Sequence, residues 1–292
     1  MSIITLTTDF GIKDHFVGAV KGALYLALPN TKIVDISHNI SPFNIVETAY
    51  ILKNAYKNFP NNTIHIVGVD TELSEENKHL ALKLNNQYFI CPDNGLISMI
   101  ASETKIKKIV QITIYNEVKT SFPVLNVFVK VAAHIAKGGS LNELGKEIYN
   151  YKKLVEIKPK VNEEQTVIKG GVIYIDNYGN IITNIKKKLF TSIGKGRSFS
   201  IKAGKYSFEK VFNCYNEIVN YSLPKEKRQY DGEKLAVFNS EGYLEIAIYR
   251  SNKETLGSAS TLLGLKYQDT VRVEFKSNNS ADFKDINSKL YL

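Results

Sequence analysis

The chain has 292 residues, 43% hydrophobic and 23% charged, which suits a soluble protein of two domains, each able to bury a core. It opens with no secretory pattern and holds no apolar run of membrane length, so neither export nor membrane insertion is expected. Cys91 and Cys214 lie too far apart in sequence to read as a disulfide or zinc framework, which fits a cytoplasmic protein. The net charge of +9 invites a nucleic-acid partner, but the basic residues are nearly all lysine, with arginine only at Arg197, Arg228, Arg250 and Arg272. They form no stripe interleaved with aromatics, so a solvated lysine surface is expected and no nucleic acid.

The apolar run Ile3 to Leu6 reads as a first strand, and Thr7-Thr8-Asp9-Phe10-Gly11 follows directly on it. Its acid then falls in the loop at a strand's carboxyl end, where α/β sheets bind ligands. No G-x-G-x-x-G or G-K-[ST] occurs, so this loop suits hydroxyls or a cation rather than a phosphate. Asp14 to Leu24 predicts a helix with Asp14 as N-cap, Lys32 to Ile36 a strand, Asn44 to Asn54 a helix entered through Ser41-Pro42, and Thr63 to Val69 a buried strand. Leu80 to Leu84 and Gln87 to Cys91 flank Asn85-Asn86 as a hairpin. Helices are expected from Leu96 and over Val127 to Lys137, the second stopped by Gly138-Gly139.

This alternation predicts an α/β N-terminal domain with a largely parallel sheet over 1–150. A polar linker follows over 151–165. Residues 166–292 read as an all-β, barrel-like domain: Gly170 to Ile175 and Ile181 to Ile185 flank the turn Asp176 to Asn180. Further strands are Leu235 to Phe238, Tyr243 to Tyr249 and Thr270 to Phe275. Asn220 to Asp231, with Pro224, reads as an exposed insertion, and Ser277 to Ser280 lies in a polar tail.

Polar residues gather where strands end: Asp9, Asp35 with His38, Asp70, and Pro92-Asp93-Asn94-Gly95. In a parallel sheet such ends converge on one edge. Three readings stay open: turn and cap residues alone, which suits Asn94-Gly95 and His38; a metal site, although no H-x-H or H-E-x-x-H occurs; and a pocket whose carboxylates hold sugar hydroxyls.

Across both domains the chain resembles the S-adenosyl-L-methionine (SAM) hydroxide adenosyltransferases, or SAM hydrolases, relatives of the fluorinase and chlorinase. The resemblance rests on T-T-D-F-G at Thr7 to Gly11, D-I-S-H at Asp35 to His38 with Pro42-Phe43, and P-D-N-G-L at Pro92 to Leu96. It continues through F-x-x-x-A-A-H at Phe128 to His134, D-x-x-G-N at Asp176 to Asn180 and N-S-x-G-Y-L-E-I-A at Asn239 to Ala247. It implies a homotrimer with sites shared between subunits, SAM as substrate, and no metal or added cofactor. Asp9 is implied to hold the ribose hydroxyls, Phe43 to flank the ribose and Asp176 to face the methionine ammonium. Asn180 and Ser240 are implied to bind the adenosyl and methionine parts. Asp70 is implied to be catalytic, activating water where the halogenases carry an aromatic residue.

Two departures stand out. The family's arginine seven residues after this Asp falls on Asn77, beside Lys78, and its histidine falls on Pro123. The expected activity is hydrolysis of SAM to adenosine and L-methionine. The alternatives are a SAM- or adenosine-binding protein without catalysis, and a metal-dependent phosphoesterase. His134 and His65 are expected to be packed and hydrogen-bonded, and His79 lies near the altered loop. Tyr215 is read either as an adenine-stacking ring or as core packing.

Overall fold

The structure, a computed structural model, describes residues 2–101, 106–115, 117, 119–228, 230–252, 255 and 257–276. The chain divides into two compact units, 1–156 and 157–292. Among the described residues no helix is long and apolar enough to cross a membrane.

In the first unit, β1 (Ile3–Thr8), β2 (Lys32–Ser37), β3 (Ile64–Gly68), β4 (His79–Leu84), β5 (Gln87–Pro92), β6 (Lys108–Ile112) and β7 (Gly145–Glu147) form one sheet. Its order is β2-β1-β3-β5-β4-β6-β7. The pairs among β2, β1, β3 and β5 are parallel, and those from β4 onward antiparallel. Helices α1 (Phe16–Ala27), α2 (Ile45–Ala55), α3 (Leu96–Ile100) and α4 (Val129–Ala136) cover the sheet. Ile4, Leu6, Ile64 and Ile66 pack with α1 and α4 in one core, while Val67, Val69, Leu82 and Phe89 pack with α2 and α3 in another. Side chains alternate across a strand, so a sheet with a core on each face needs apolar residues at both phases. All five residues of β3 are accordingly buried.

Local chemistry sets the ends. Asn44 caps α2 by accepting the Glu47 amide at 3.0 Å. Asn85 and Asn86 both take positive φ, 48° and 61°, as a two-residue hairpin turn requires. Asp14 does not cap α1: the helix starts at Phe16 after His15, with no side-chain cap. Phe16 instead packs on Phe10 and Phe122, 5.9 and 5.3 Å between ring centroids, and this contact anchors the first turn. The helix predicted from Val127 begins earlier, as a π-helical turn over Val124–Phe128 that runs into α4.

In the second unit, β8 (Lys160–Val161), β9 (Val167–Ile175), β10 (Ile181–Lys186), β11 (Phe199–Ala203), β12 (Tyr206–Phe208), β13 (Val211–Phe212), β14 (Lys234–Phe238), β15 (Tyr243–Ile248) and β16 (Thr270–Phe275) form a nearly closed, barrel-like sheet. The order is β12-β11-β16-β9-β10-β15-β14-β13, with β8 pairing on β9. Ile168, Val172, Ile181, Ile246, Val271 and Val273 fill its interior. Helices α5 (Lys187–Gly194) and α6 (Ala259–Leu263) complete the unit. The strand β8 lies inside the stretch read as linker, and α5 and β11 to β13 are additions to the reading. The predicted tail at Ser277 to Ser280 lies outside the described residues.

Candidate functional site

Asp9 leaves the carboxyl end of β1, and Asp70 follows β3. Because these strands are adjacent and parallel, their ends meet, and both acids line one cavity of about 540 Å³. Phe10, Phe43, Glu72, Ser121, Phe122 and Pro123 are among its other walls. Asp9 and Phe43 are joined directly: the Phe43 amide donates to Asp9 Oδ2 at 3.0 Å. Phe43, 73% exposed, holds this position at φ 62°, a left-handed conformation costing a bulky residue about 1–2 kcal/mol. Burial raises the Asp9 pKa, the Phe43 amide opposes the rise, and the charge of Asp70 adds to it. At Gly68, the last residue of β3, an added Cβ would stand 3.0 Å from Thr8 Cγ2 and 3.1 Å from Phe10 Cζ. A larger residue there would press on the side chains of Thr8 and Phe10, the neighbours of Asp9 in sequence.

Asp70 itself sits at φ 51° and is held from behind. Asn77 Nδ2 donates to the Asp70 carbonyl at 2.8 Å and to the Glu72 carbonyl at 3.1 Å. His79 Nε2 donates to the Thr71 carbonyl at 2.9 Å. Three successive carbonyls of the loop are therefore tied by two side chains, Asn77 just before β4 and His79 at its first residue. Ser74 Oγ accepts the Glu76 and Asn77 amides and closes the loop's far end. Burial pushes the His79 pKa down against its bond to Thr71, which keeps the ring neutral, and it packs T-shaped against Phe128 at 4.8 Å between centroids. Lys78 contributes its carbonyl to the Asp93 amide at 2.6 Å and does not line the cavity. Pro123 lines the cavity immediately before the π-helical turn.

The other strand-end residues serve the frame. His38 sits in the bend that follows β2, where Thr8 Oγ1 lies 2.7 Å from its Nδ1 and Asp35 Oδ1 lies 3.1 Å from its Nε2. Lys21 Nζ donates to the other Asp35 oxygen at 2.5 Å. Burial would raise the Asp35 pKa, but the contacts with Lys21 and His38 win and hold it low. Asn94 spans from the Val69 carbonyl to the Leu96 amide, and Asp93 accepts the Lys152 amide at 2.8 Å. Gly95 takes φ 97°, and a Cβ there would stand 2.4 Å from Leu154 Cγ. His65 is packed between Thr5 and Gln87 and stacked on Phe89, and His134 bonds to the Ser140 carbonyl. Among the described residues no three His, Cys, Asp or Glu side chains gather as a metal would need.

In the second unit, Asp176 and Asn180 close their turn on each other. Asp176 Oδ1 accepts the Asn180 amide at 2.8 Å, and Oδ2 accepts Asn180 Nδ2 at 3.1 Å. Glu245, 3% exposed on β15, is the residue that the sequence reading missed as part of this group. Tyr215 Oη donates to its Oε1 at 2.5 Å, and the Asn239 and Asn180 side chains also bond to it. Burial raises the Glu245 pKa, Tyr215 opposes the rise, and the charge of Asp176 adds to it. Ser240 follows Asn239 in an exposed turn whose Asn239 Oδ1 accepts the Glu241 and Tyr243 amides. Tyr215 is 41% exposed as a residue and belongs to none of the core clusters, so core packing is not its role. A lone acid inside the apolar strand Tyr243 to Ile248 was the sequence signal for Glu245.

Both halves of the chain match one family. Residues 4–145 match the SAM hydroxide adenosyltransferase N-terminal domain, and residues 170–272 match its C-terminal domain. The chain is 33% identical to the (R)-S-adenosyl-L-methionine hydrolase of Methanocaldococcus jannaschii, over 94% of this chain and 96% of that protein. It is 23% identical to a fluorinase of an Actinoplanes species, over 84% of this chain and 90% of that one. Among solved structures it resembles an uncharacterized conserved protein from Thermotoga maritima, with TM-score 0.78 and 29% identity, over 94% of this chain and 99% of that one.

Proposed function

The chain belongs to the SAM hydroxide adenosyltransferase family, and from that membership we propose that it hydrolyses SAM to adenosine and L-methionine. The observation that carries the chemistry is the convergence of Asp9 and Asp70 on one cavity at the ends of adjacent strands. SAM bears a sulfonium and an ammonium, which suits a cavity also lined by Glu72. In our reading Asp9 accepts the ribose hydroxyls, oriented by the Phe43 amide, with the Phe43 ring beside the sugar. Asp70 orients a water and takes its proton as the oxygen attacks C5′. The C5′–S bond breaks with its electron pair going to sulfur, so methionine leaves as a neutral thioether and needs no general acid.

Asp176 faces the ammonium, while Asn180 and Ser240 bind the adenosyl and methionine parts. The alternative, a binding protein that lost catalysis, is less favoured because the loop carrying Asp70 is tied at three carbonyls without the arginine and histidine. A carboxylate beside the attack site would repel halide, which favours water over fluoride. We further place the protein in the cytoplasm, as a homotrimer with sites shared between subunits; two unpaired cysteines agree with a reducing compartment.

The test is chromatographic detection of adenosine from SAM. Wild type should release it, and Asp70→Asn should lower kcat by about 10²–10⁴-fold while SAM binding is kept. If both proteins merely match the spontaneous decay of SAM, the hydrolase reading is wrong.

A further inference from the structure

A row of cations crosses the second unit, and none of its members belongs to the site described above. Strands β8, β9, β16 and β11 lie side by side and antiparallel. Their register sets Lys160 opposite Lys169, Lys169 opposite Arg272, and Arg272 opposite Lys202. Directly opposed residues project from the same face of a sheet. Four exposed cations therefore stand in line across four strands, about 4.8 Å per step and roughly 14 Å end to end.

A cavity of about 620 Å³ opens on this line, walled by Lys160, Lys169 and Arg272 together with Asn162 and Thr270. Acidic relief is slight. Among the described residues Arg272 meets Glu274 at 3.3 Å, Lys202 bonds only to Ser207 Oγ, and Glu164 reaches the rim through Asn162. Among the described residues, the Lys160 and Lys169 side chains have no ion-pair or hydrogen-bond partner.

Like charges directly opposed across a sheet are destabilising, and here three such pairs follow in succession. An occupant that supplies negative charge along the line would remove that cost. We infer that this row binds a linear polyphosphate, either inorganic polyphosphate or the phosphate tail of a nucleotide. A line of donors suits a chain of phosphates, and lysine and arginine are the ordinary phosphate donors. Among the described residues no aromatic side chain lines the cavity, so they offer no stacking platform for the bases of single-stranded nucleic acid. The inference is independent of the SAM reading.

The test is calorimetric titration of the full chain with orthophosphate, tripolyphosphate, long-chain polyphosphate, ATP and duplex DNA at about 50 mM and about 200 mM salt. Affinity should rise with phosphate chain length and fall steeply with salt. ATP binding as tightly as tripolyphosphate would identify the nucleotide tail as a source, and long-chain polyphosphate alone would identify the polymer. The double variant Lys169→Glu with Arg272→Glu should lose on the order of a hundredfold in affinity. Lys225→Glu with Lys227→Glu, an equal change of net charge elsewhere on the same unit, should lose less than about threefold. If the first variant fails to fold, Lys160→Ala with Lys202→Ala at the ends of the row should still lose roughly tenfold. Equal losses in the row and control variants would overturn the site. So would duplex DNA binding more tightly than polyphosphate with the same dependence on Lys169 and Arg272, which would make the row a nucleic-acid surface.

Discussion

Replacing Asn77 by alanine isolates what the loop behind Asp70 contributes. The side chain makes two neutral hydrogen bonds, to the Asp70 and Glu72 carbonyls at 2.8 and 3.1 Å. Each such bond is worth about 0.5–1.5 kcal/mol net, so the loop loses about 1–3 kcal/mol of restraint. Asp70 is held at φ 51°, a conformation that costs a non-glycine residue about 1–2 kcal/mol. With the bonds gone, that cost is no longer offset and the residue is free to leave its position. If the whole loss is expressed in placing the carboxylate, kcat falls by about 5- to 150-fold.

KM should change little, because Asp9 is oriented by a different backbone group, the Phe43 amide. Adenosine release under saturating SAM measures kcat, and the informative comparison is a double-mutant cycle with Asp70→Asn. A residue that acts by positioning Asp70 has nothing left to position once Asp70 is asparagine. Asn77→Ala should then cost less than about twofold in that background. Equal losses in both backgrounds would mean that Asn77 serves only general stability, and an unchanged kcat in the single variant would remove it from the site altogether.

Three further outcomes are expected. Asp9→Ala should weaken adenosine binding about 10- to 150-fold by calorimetry, since a methyl group cannot accept the ribose hydroxyls as a carboxylate does; equal affinity would place the sugar elsewhere. Light scattering at micromolar concentration should give about three times the 32.9 kDa of one chain, and a monomer mass would exclude a shared site. Stability should fall as pH drops below about 6.5, because buried His65 stays neutral down to about 4 while the unfolded chain already takes up its proton. The loss approaches roughly 3 kcal/mol near pH 4 and is absent above neutrality; a His65→Asn variant whose urea midpoint falls just as steeply would refute the assignment.

Much of the first unit was legible because local signals and global pattern agree there. The buried run of β3, the Asn85-Asn86 turn and the cap at Asn44 each dictate one local geometry, and the alternation of elements then places Asp9 and Asp70 on one edge. What stayed hidden depends on contacts between residues distant in sequence. Asp14 is a sound N-cap by type, yet packing of Phe16 against Phe122 decides where α1 starts. Strands β6 and β7 pair with partners that no local rule identifies. The cation row escaped for the same reason: residues 160, 169, 202 and 272 share no sequence window, and only the register aligns them.

The altered loop shows how such hidden contacts bear on chemistry. In sequence, Asn77 and Pro123 read as losses, because a charged donor and a titratable ring are replaced by an amide and a proline. In space, Asn77 is short enough to reach two main-chain carbonyls of the Asp70 loop, and His79 supplies a neutral imidazole to the carbonyl between them. A side chain bonded to the carboxylate would orient Asp70 and lower its basicity at once, whereas bonds to its backbone orient it and leave the oxygens to water. Two histidine variants separate these contributions. His79→Gln, which keeps an amide donor in reach of Thr71, should retain most of kcat, while His79→Leu should lose about 2- to 10-fold from one neutral hydrogen bond. Equal activity of the two variants would show that the bond to Thr71 plays no part in holding Asp70.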